Sequence, residues 1–378
     1  MSISFIDLAA QQARLRPQID AAVQKVLDRG DYIMGREVGE LETALSERLD
    51  GTHVISCSSG TDALILGLLG LKVRPGDGII VPSFTFAASA ESIAVLGASP
   101  VFAEVEEASF NLDPALLGEA LEAGRKAGLN MVGIMAIGLF GQPANLPAIS
   151  EFAAQNNLWL LDDAAQSFGA SWKDKPVGQF GDVTATSFFP AKPLGCYGDG
   201  GAMFTKNEEI AEIARSCRIH GQGTDKYENV NIGMTARLDT MQAAILLAKL
   251  EIFDDELAKR QQVAERYHKL LDDVAQAPQL AQAATSSWAQ YVIRLPHDTD
   301  RQAIQASMRE HGVPTAIYYP RPMHTQPVYK RYPVSLSGLS LTEQLARDVL
   351  ALPMHPYLEK QTQIQVVAAL QNALEAQK

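Results

Sequence analysis

Cysteine is scarce in this chain: three residues, Cys57, Cys196 and Cys217, among 378. They are odd in number, widely spaced and outside any metal-ligand pattern. That fits small buried side chains in a reducing compartment better than a disulfide framework, and no metal site is expected. Long apolar runs are also missing. No stretch approaches the length that crosses a bilayer, and Met1-Ser2-Ile3-Ser4-Phe5-Ile6-Asp7 has no basic segment followed by an apolar one. A cytoplasmic location without a membrane partner is therefore expected. Positive charge is in the minority, with 32 Lys plus Arg against 44 Asp plus Glu and a formal charge of −12. No block of like charge, helix-turn-helix or basic face is present, which argues against nucleic acid as a partner. Repeats and low-complexity tracts are absent too. What remains is 47% hydrophobic and only 20% charged, enough to bury a large core and to divide into two domains.

The apolar residues alternate in texture. Short β-branched runs at 53–57, 78–82, 100–105, 131–138, 159–161, 183–188 and 202–205 read as strands. Helical spacing occupies 61–73, 85–96, 114–127 and 147–155 between them. This order predicts an α/β fold with one mainly parallel seven-stranded sheet covered by helices. Two amphipathic helices, 17–29 and 37–49, precede it, the first stopped by Gly30. A single long helix is expected over 238–271, leading into a strand at 291–295 and helices at 303–311 and 360–376. The domains are thus drawn as residues 1–245, which hold the sheet, and 246–378, a smaller α+β unit.

Three segments carry chemistry. Lys192 lies in Ser187-Phe188-Phe189-Pro190-Ala191-Lys192-Pro193-Leu194-Gly195, where no acidic neighbour pairs its amine. Taken alone, such a lysine is more often a snorkelling surface side chain. Upstream, Leu158-Trp159-Leu160-Leu161-Asp162-Asp163-Ala164-Ala165-Gln166 delivers carboxylates at the C-terminal end of a strand, where open α/β sheets bind ligands. The third segment, Val54 to Leu64, passes from strand through Ser58-Ser59-Gly60 to a helix start at Thr61 and Asp62. Its free N–H groups and helix dipole favour an anion, although Ser, Thr and Asp are also ordinary caps. A lysine to form a Schiff base, a carboxylate for a pyridine nitrogen and a phosphate cradle together suggest pyridoxal phosphate. Desolvation lowers a lysine pKa enough to supply free amine.

With Gly60-Thr61-Asp62-Ala63, Pro82-Ser83-Phe84-Thr85-Phe86, Asp163-Ala164-Ala165-Gln166-Ser167-Phe168-Gly169-Ala170 and Lys192 in this order, the chain resembles the DegT family of PLP-dependent sugar-nucleotide aminotransferases. The likeness runs from Phe5-Ile6-Asp7-Leu8 through Arg237-Leu238-Asp239 to Leu352-Pro353-Met354-His355. It implies PLP-dependent transferase fold type I, as in aspartate aminotransferase, and a homodimer with active sites at the subunit interface. Lys192 then becomes the internal aldimine lysine, Asp163 the pyridinium partner with Asp162 as the alternative acid, and Gln166 the contact to the ring hydroxyl. Gly60, Thr61 and Ser187 would hold the phosphate, and Phe86 would stack on the ring. Arg237 would reach across the dimer to an anionic substrate group, with Tyr32, Tyr318 and Tyr319 as further substrate contacts. Glutamate would load the cofactor with its amine while freed Lys192 moves the α-proton, and a keto sugar would take the amine in the reverse steps.

The segment from Phe188 to Gly201 is similar to the branch acting at C3 of the sugar, particularly the UDP-2-acetamido-2-deoxy-3-oxo-glucuronate aminotransferases of O-antigen and lipopolysaccharide biosynthesis. Two departures mark the chain. Thr235 stands where the family commonly has Asn to reach the partner's phosphate, and a hydroxyl can still donate one hydrogen bond. Tyr318 stands where uronate-acting relatives often have His. Arg321 and His324 follow in the same loop and read as loop residues without a ligand. A PLP-dependent dehydratase would carry His in place of Lys192, and a non-catalytic regulator is disfavoured by the intact Lys192, Asp163 and Gln166. Gly198-Asp199-Gly200-Gly201 is expected to be a turn and no nucleotide loop, since it precedes a strand.

Overall fold

A computed structural model describes residues 3–377. The strands are β1 (His53–Cys57), β2 (Asp77–Pro82), β3 (Ser99–Ala103), β4 (Asn130–Ile137) and β5 (Trp159–Asp163), a two-residue ribbon of β6 (Ser171–Trp172) and β7 (Lys175–Pro176), then β8 (Val183–Ser187) and β9 (Gly201–Thr205). All except the ribbon join one seven-stranded sheet in the order β1-β9-β8-β5-β4-β2-β3. β9 alone runs against its neighbours, pairing antiparallel with both β1 and β8. The other pairs are parallel. The expected strands thus fall in a single mainly parallel sheet, and their continuous apolar runs reflect burial on both faces.

The helices are α1 (Leu8–Arg29), α2 (Arg36–Arg48), α3 (Gly60–Gly70), α4 (Ala87–Val95), α5 (Leu117–Lys126), α6 (Leu146–Gln155), α7 (Glu208–Arg218), α8 (Thr240–Leu250), α9 (Phe253–Leu270), α10 (Arg301–Glu310), α11 (Ser340–Asp348) and α12 (Lys360–Glu375). On one face of the sheet, Ile55, Val81, Ile137, Leu161 and Ala185 pack with Leu64, Ile93 and Ala214 of α3, α4 and α7. On the other, Ile80, Ile134 and Leu160 meet α5 and α6, and Val54 and Phe204 meet α2 and α8. A second core surrounds the antiparallel pair β10 (Tyr291–Arg294) and β11 (Val349–Leu352), enclosed by α9, α10 and α12.

Several boundaries differ from expectation. The long helix over 238–271 is two helices, α8 and α9. Asp254, Asp255 and Glu256 fill the first turn of α9, where negative charge favours a helix start. α1 begins at Leu8, capped by Asp7, and carries Pro17 inside it. Buried Leu15 and Ile19 hold this region against Ile245 and Ala248 of α8, so packing outweighs one missing hydrogen bond. α7, α11 and β11 were not anticipated. All three cysteines are free and buried. Among the described residues no helix is long and apolar enough to cross a membrane.

Candidate active site

Strand pleat decides which of the adjacent carboxylates faces the site. Successive strand residues point to opposite faces, so Asp163 joins Leu161 on the α3–α4 side while Asp162 joins Leu160 beneath the sheet. Asp163 lines a cavity of about 450 Å³ that Asp162 does not reach. Its Oδ2 accepts from Ser89 Oγ at 2.9 Å and its Oδ1 from the Ala165 N–H at 3.2 Å. Thr85 Oγ1 lies 3.1 Å from the same Ser89 hydroxyl. Burial raises the Asp163 pKa, while its hydrogen bonds and the Lys192 amine pull the other way. Asp162 is fully buried with neither oxygen hydrogen-bonded. Burial, and then the Asp163 charge, push it up to about 8.

Lys192 enters the same cavity from the loop after β8. Its amine makes no ion pair or hydrogen bond among the described residues, and desolvation lowers its pKa against the pull of Asp163. An unpaired amine of lowered pKa opposite a carboxylate is equipped to attack a carbonyl.

The third wall is the start of α3. Ser59 caps it by accepting from the Asp62 N–H at 3.0 Å, and the N–H groups of Gly60 and Thr61 belong to the first turn, which has no intrahelical acceptor. A Cβ on Gly60 would lie 2.6 Å from the Cβ of Ser187. Only glycine lets the helix end press this closely on β8, and the result is a cradle of N–H and hydroxyl donors suited to phosphate.

Phe86 precedes α4 with its ring 58% exposed, 6.0 Å from the Tyr319 ring, so ordinary core packing does not explain it. Gln166 is buried; its Oε1 accepts from the Phe140 N–H at 2.7 Å and its Nε2 donates to Tyr319 Oη at 3.2 Å. One amide hydrogen is left over. Tyr318 and Tyr319 both line the cavity.

The remaining expected residues lie elsewhere. Thr235 and Arg237 border a separate cavity of about 400 Å³ that also touches Asp199, and Thr235 Oγ1 is 2.8 Å from His220 Nε2. Tyr32 is half exposed and lines neither cavity. Arg321 is exposed. His324 braces its loop, with Nδ1 2.7 Å from Ser83 Oγ and Nε2 3.2 Å from Glu343. Gly198 to Gly200 form a loop ahead of β9. Sequence reading missed Ser89 and Thr85, although their placement beside Phe86 at helix spacing was available as a signal. Gln290, which also lines the cavity, has no comparable local pattern.

The family model for the DegT/DnrJ/EryC1/StrS aminotransferase family matches residues 13–371. A protein of Pseudomonas aeruginosa, UDP-2-acetamido-2-deoxy-3-oxo-D-glucuronate aminotransferase, is 44% identical over 371 residues, covering 98% of this chain and 100% of that protein. The crystal structure of a DegT DnrJ EryC1 StrS aminotransferase from Brucella abortus aligns with a TM-score of 0.95 at 45% identity, over 98% of this chain and 99% of that one. NtdA from Bacillus subtilis, crystallised with bound cofactor PMP, aligns with a TM-score of 0.90 at 28% identity, over 99% of this chain and 85% of that one.

Proposed function

Because this chain belongs to the DegT/DnrJ/EryC1/StrS aminotransferase family, we propose that it moves the amino group of L-glutamate onto UDP-2-acetamido-2-deoxy-3-oxo-glucuronate, giving UDP-2-acetamido-3-amino-2,3-dideoxyglucuronate. The protein is a PLP-dependent transaminase. The observation that carries the substrate reading is 44% identity, end to end, with the Pseudomonas aminotransferase.

The cavity fits the cofactor. It combines an unpaired amine, an opposed carboxylate, a glycine whose Cβ would fill the phosphate cradle, and an exposed aromatic face. When bound, pyridoxal phosphate supplies an electron sink for the carbon that loses its proton. Gly60, Thr61 and Ser187 would hold the phosphate, Asp163 would keep positive charge on the ring nitrogen, Gln166 would meet the ring hydroxyl with its spare amide hydrogen, and Phe86 would cover one face. Ser89 fixes the Asp163 carboxylate. The Lys192 amine would act as the general acid–base that takes the proton from the donor's α-carbon. Residues 1–245 serve as the cofactor-binding unit and 246–378 as the smaller one.

A homodimer completes the site. Thr235, Arg237 and Tyr32 lie outside the cavity of their own chain, and Tyr227, Val230 and Ile232 of the neighbouring loop are strongly exposed, Ile232 at 93%. Apolar exposure of this kind marks an interaction surface. Across a two-fold axis the Arg237 guanidinium would meet the substrate's anionic group and Thr235 would meet the phosphate. The enzyme works in the cytoplasm and its product feeds surface polysaccharide such as O-antigen. Tyr318, which lines the cavity, favours a second reading in which another 3-keto or 4-keto nucleotide sugar accepts the amine.

The test starts from the visible spectrum of the holoenzyme, with L-glutamate and L-glutamine added separately, followed by UDP-3-keto uronate against 4-keto sugars. Bleaching by glutamate and turnover of the 3-keto uronate are expected. Turnover confined to 4-keto sugars would overturn the substrate reading. Lys192→Ala is expected to abolish turnover, and retained transamination would remove Lys192 from its role.

A further inference from the structure

Lys249 of α8 is 1% exposed and has no carboxylate within ion-pairing distance among the described residues. Burying an ammonium in this way is costly, and methionine would fill a similar volume without that cost. Its Nζ instead donates to the carbonyl of Gly195 at 2.6 Å and stands 4.2 Å from the centre of the Tyr197 ring. Both contacts exploit charge: the hydrogen bond is charge-assisted and the ring face attracts a cation. Gln242, two turns earlier on α8, takes the next part of the same segment. Its Oε1 accepts from the Tyr197 N–H at 2.9 Å and its Nε2 donates to the Tyr197 carbonyl at 3.4 Å.

These contacts reach the loop that carries Lys192. The Phe188 N–H donates to Gly200 O at 2.7 Å and the Cys196 N–H to Phe188 O at 2.8 Å, closing the loop at its base. The Cys196 thiol lies 3.1 Å from the carbonyl oxygens of both Phe188 and Gly198, with one hydrogen to donate between them. The Lys192 N–H donates to Phe189 O at 2.8 Å. A Cβ on Gly195 would lie 2.6 Å from the carbonyl oxygens of Phe189 and Pro190, so Gly195 sits directly against the turn that leads into Lys192. Its own carbonyl is the one that Lys249 holds. Displacement of Gly195 therefore transmits to Lys192 through backbone contact.

We propose that Lys249 and Gln242 are positioning residues: together they fix the loop between β8 and β9 and so set where the Lys192 amine points. The proposal rests on the reading of Lys192 as the cofactor-bearing lysine. It also explains why a charge is retained where an apolar side chain would pack, since a charged donor strengthens its bond to the carbonyl and its attraction to the ring face at once.

The test uses holoenzyme of wild type, Lys249→Met, Gln242→Leu and the double variant. Borohydride reduction followed by peptide mass analysis reports whether the cofactor sits on Lys192. The pH midpoint of the visible band and the rate of the glutamate half-reaction report the geometry around the amine. Lys192 is expected to be labelled in every variant. The pH midpoint should shift and kcat should fall by about tenfold or more as misplaced groups do; KM for glutamate should stay within about twofold in Lys249→Met, whose side chain is buried and lines neither cavity, whereas Gln242 borders the cavity of Thr235 and Arg237. The double variant should lose less than the product of the two single losses, because both act on one segment. If Lys249→Met does not fold, Gln242→Leu carries the labelling, pH-midpoint and kcat readouts. Wild-type kcat and pH midpoint in the variants, with Lys192 still labelled, would overturn the positioning role alone. Absence of label on Lys192 in the wild type would overturn the underlying reading and the proposal with it.

Discussion

Replacing Asp162 by Asn should stabilise the protein, and increasingly so as pH rises. Asp162 is fully buried, neither oxygen is hydrogen-bonded, and its pKa is pushed up to about 8 from an ordinary 3.8, first by burial and then by Asp163. A carboxyl whose folded pKa is raised stabilises the fold fully below its unfolded pKa, and that contribution is lost as pH climbs towards the folded value. At pH 7, about three units above the unfolded value, the loss is at most about 4 kcal/mol at 1.36 kcal/mol per unit. Asn cannot ionise and escapes it. Urea unfolding of both cofactor-stripped proteins at pH 5, 6, 7 and 8 gives the comparison, because every other titrating group is shared. The advantage of Asp162→Asn should grow by roughly 1 kcal/mol per unit across this window and level off near pH 8. A difference independent of pH would refute the reasoning, since it would mean that Asp162 does not change its protonation on folding.

Two further substitutions probe the cavity. Gly60→Ala puts a Cβ 2.6 Å from Ser187 Cβ, and relieving such overpacking costs on the order of 1–3 kcal/mol. Cofactor dissociation, followed by fluorescence, should become about tenfold or more easier, and wild-type affinity would show that the cradle tolerates a methyl group. Phe86→Ala should weaken cofactor retention by roughly fivefold, from about 1 kcal/mol of ring contact. Because the ring is 58% exposed, the apo thermal midpoint should stay within about a degree or two; a large drop there would identify Phe86 as structural.

Much of this was legible in the chain because the central strands are buried on both faces and therefore read as unbroken apolar runs. Ile79–Val81 of β2 and Trp159–Leu161 of β5 are examples, and the Phe86 and Asp163 motifs fall at the C-terminal ends of these strands, where the fold puts ligands. The break between α8 and α9 was hidden because Glu251 and Ile252 contain neither Gly nor Pro, and the signal is the acidic run that follows. α7 was readable in principle: Asn207 caps it, and Ile210, Ala211, Ala214 and Cys217 are buried at helical spacing. Choosing between Asp162 and Asp163 required the strand register, since alternation says that they face apart but not which faces the cavity. The grip of Lys249 on Gly195 spans 54 residues, and no local pattern announces a contact of that range.

The single reversed strand carries a consequence for synthesis. β1 sits at the sheet edge with β9 as its neighbour, and 148 residues separate Cys57 from Thr205. At roughly 5–20 residues per second, a ribosome takes about 7–30 s to make that interval. Until β9 emerges, the strand leading into Ser59, Gly60 and Thr61 has no place in the sheet, and nothing joins β1 to β8 to hold those residues against Ser187. The nascent chain therefore cannot capture its cofactor early. Loading becomes a checkpoint that only chains extended through residue 205 can pass.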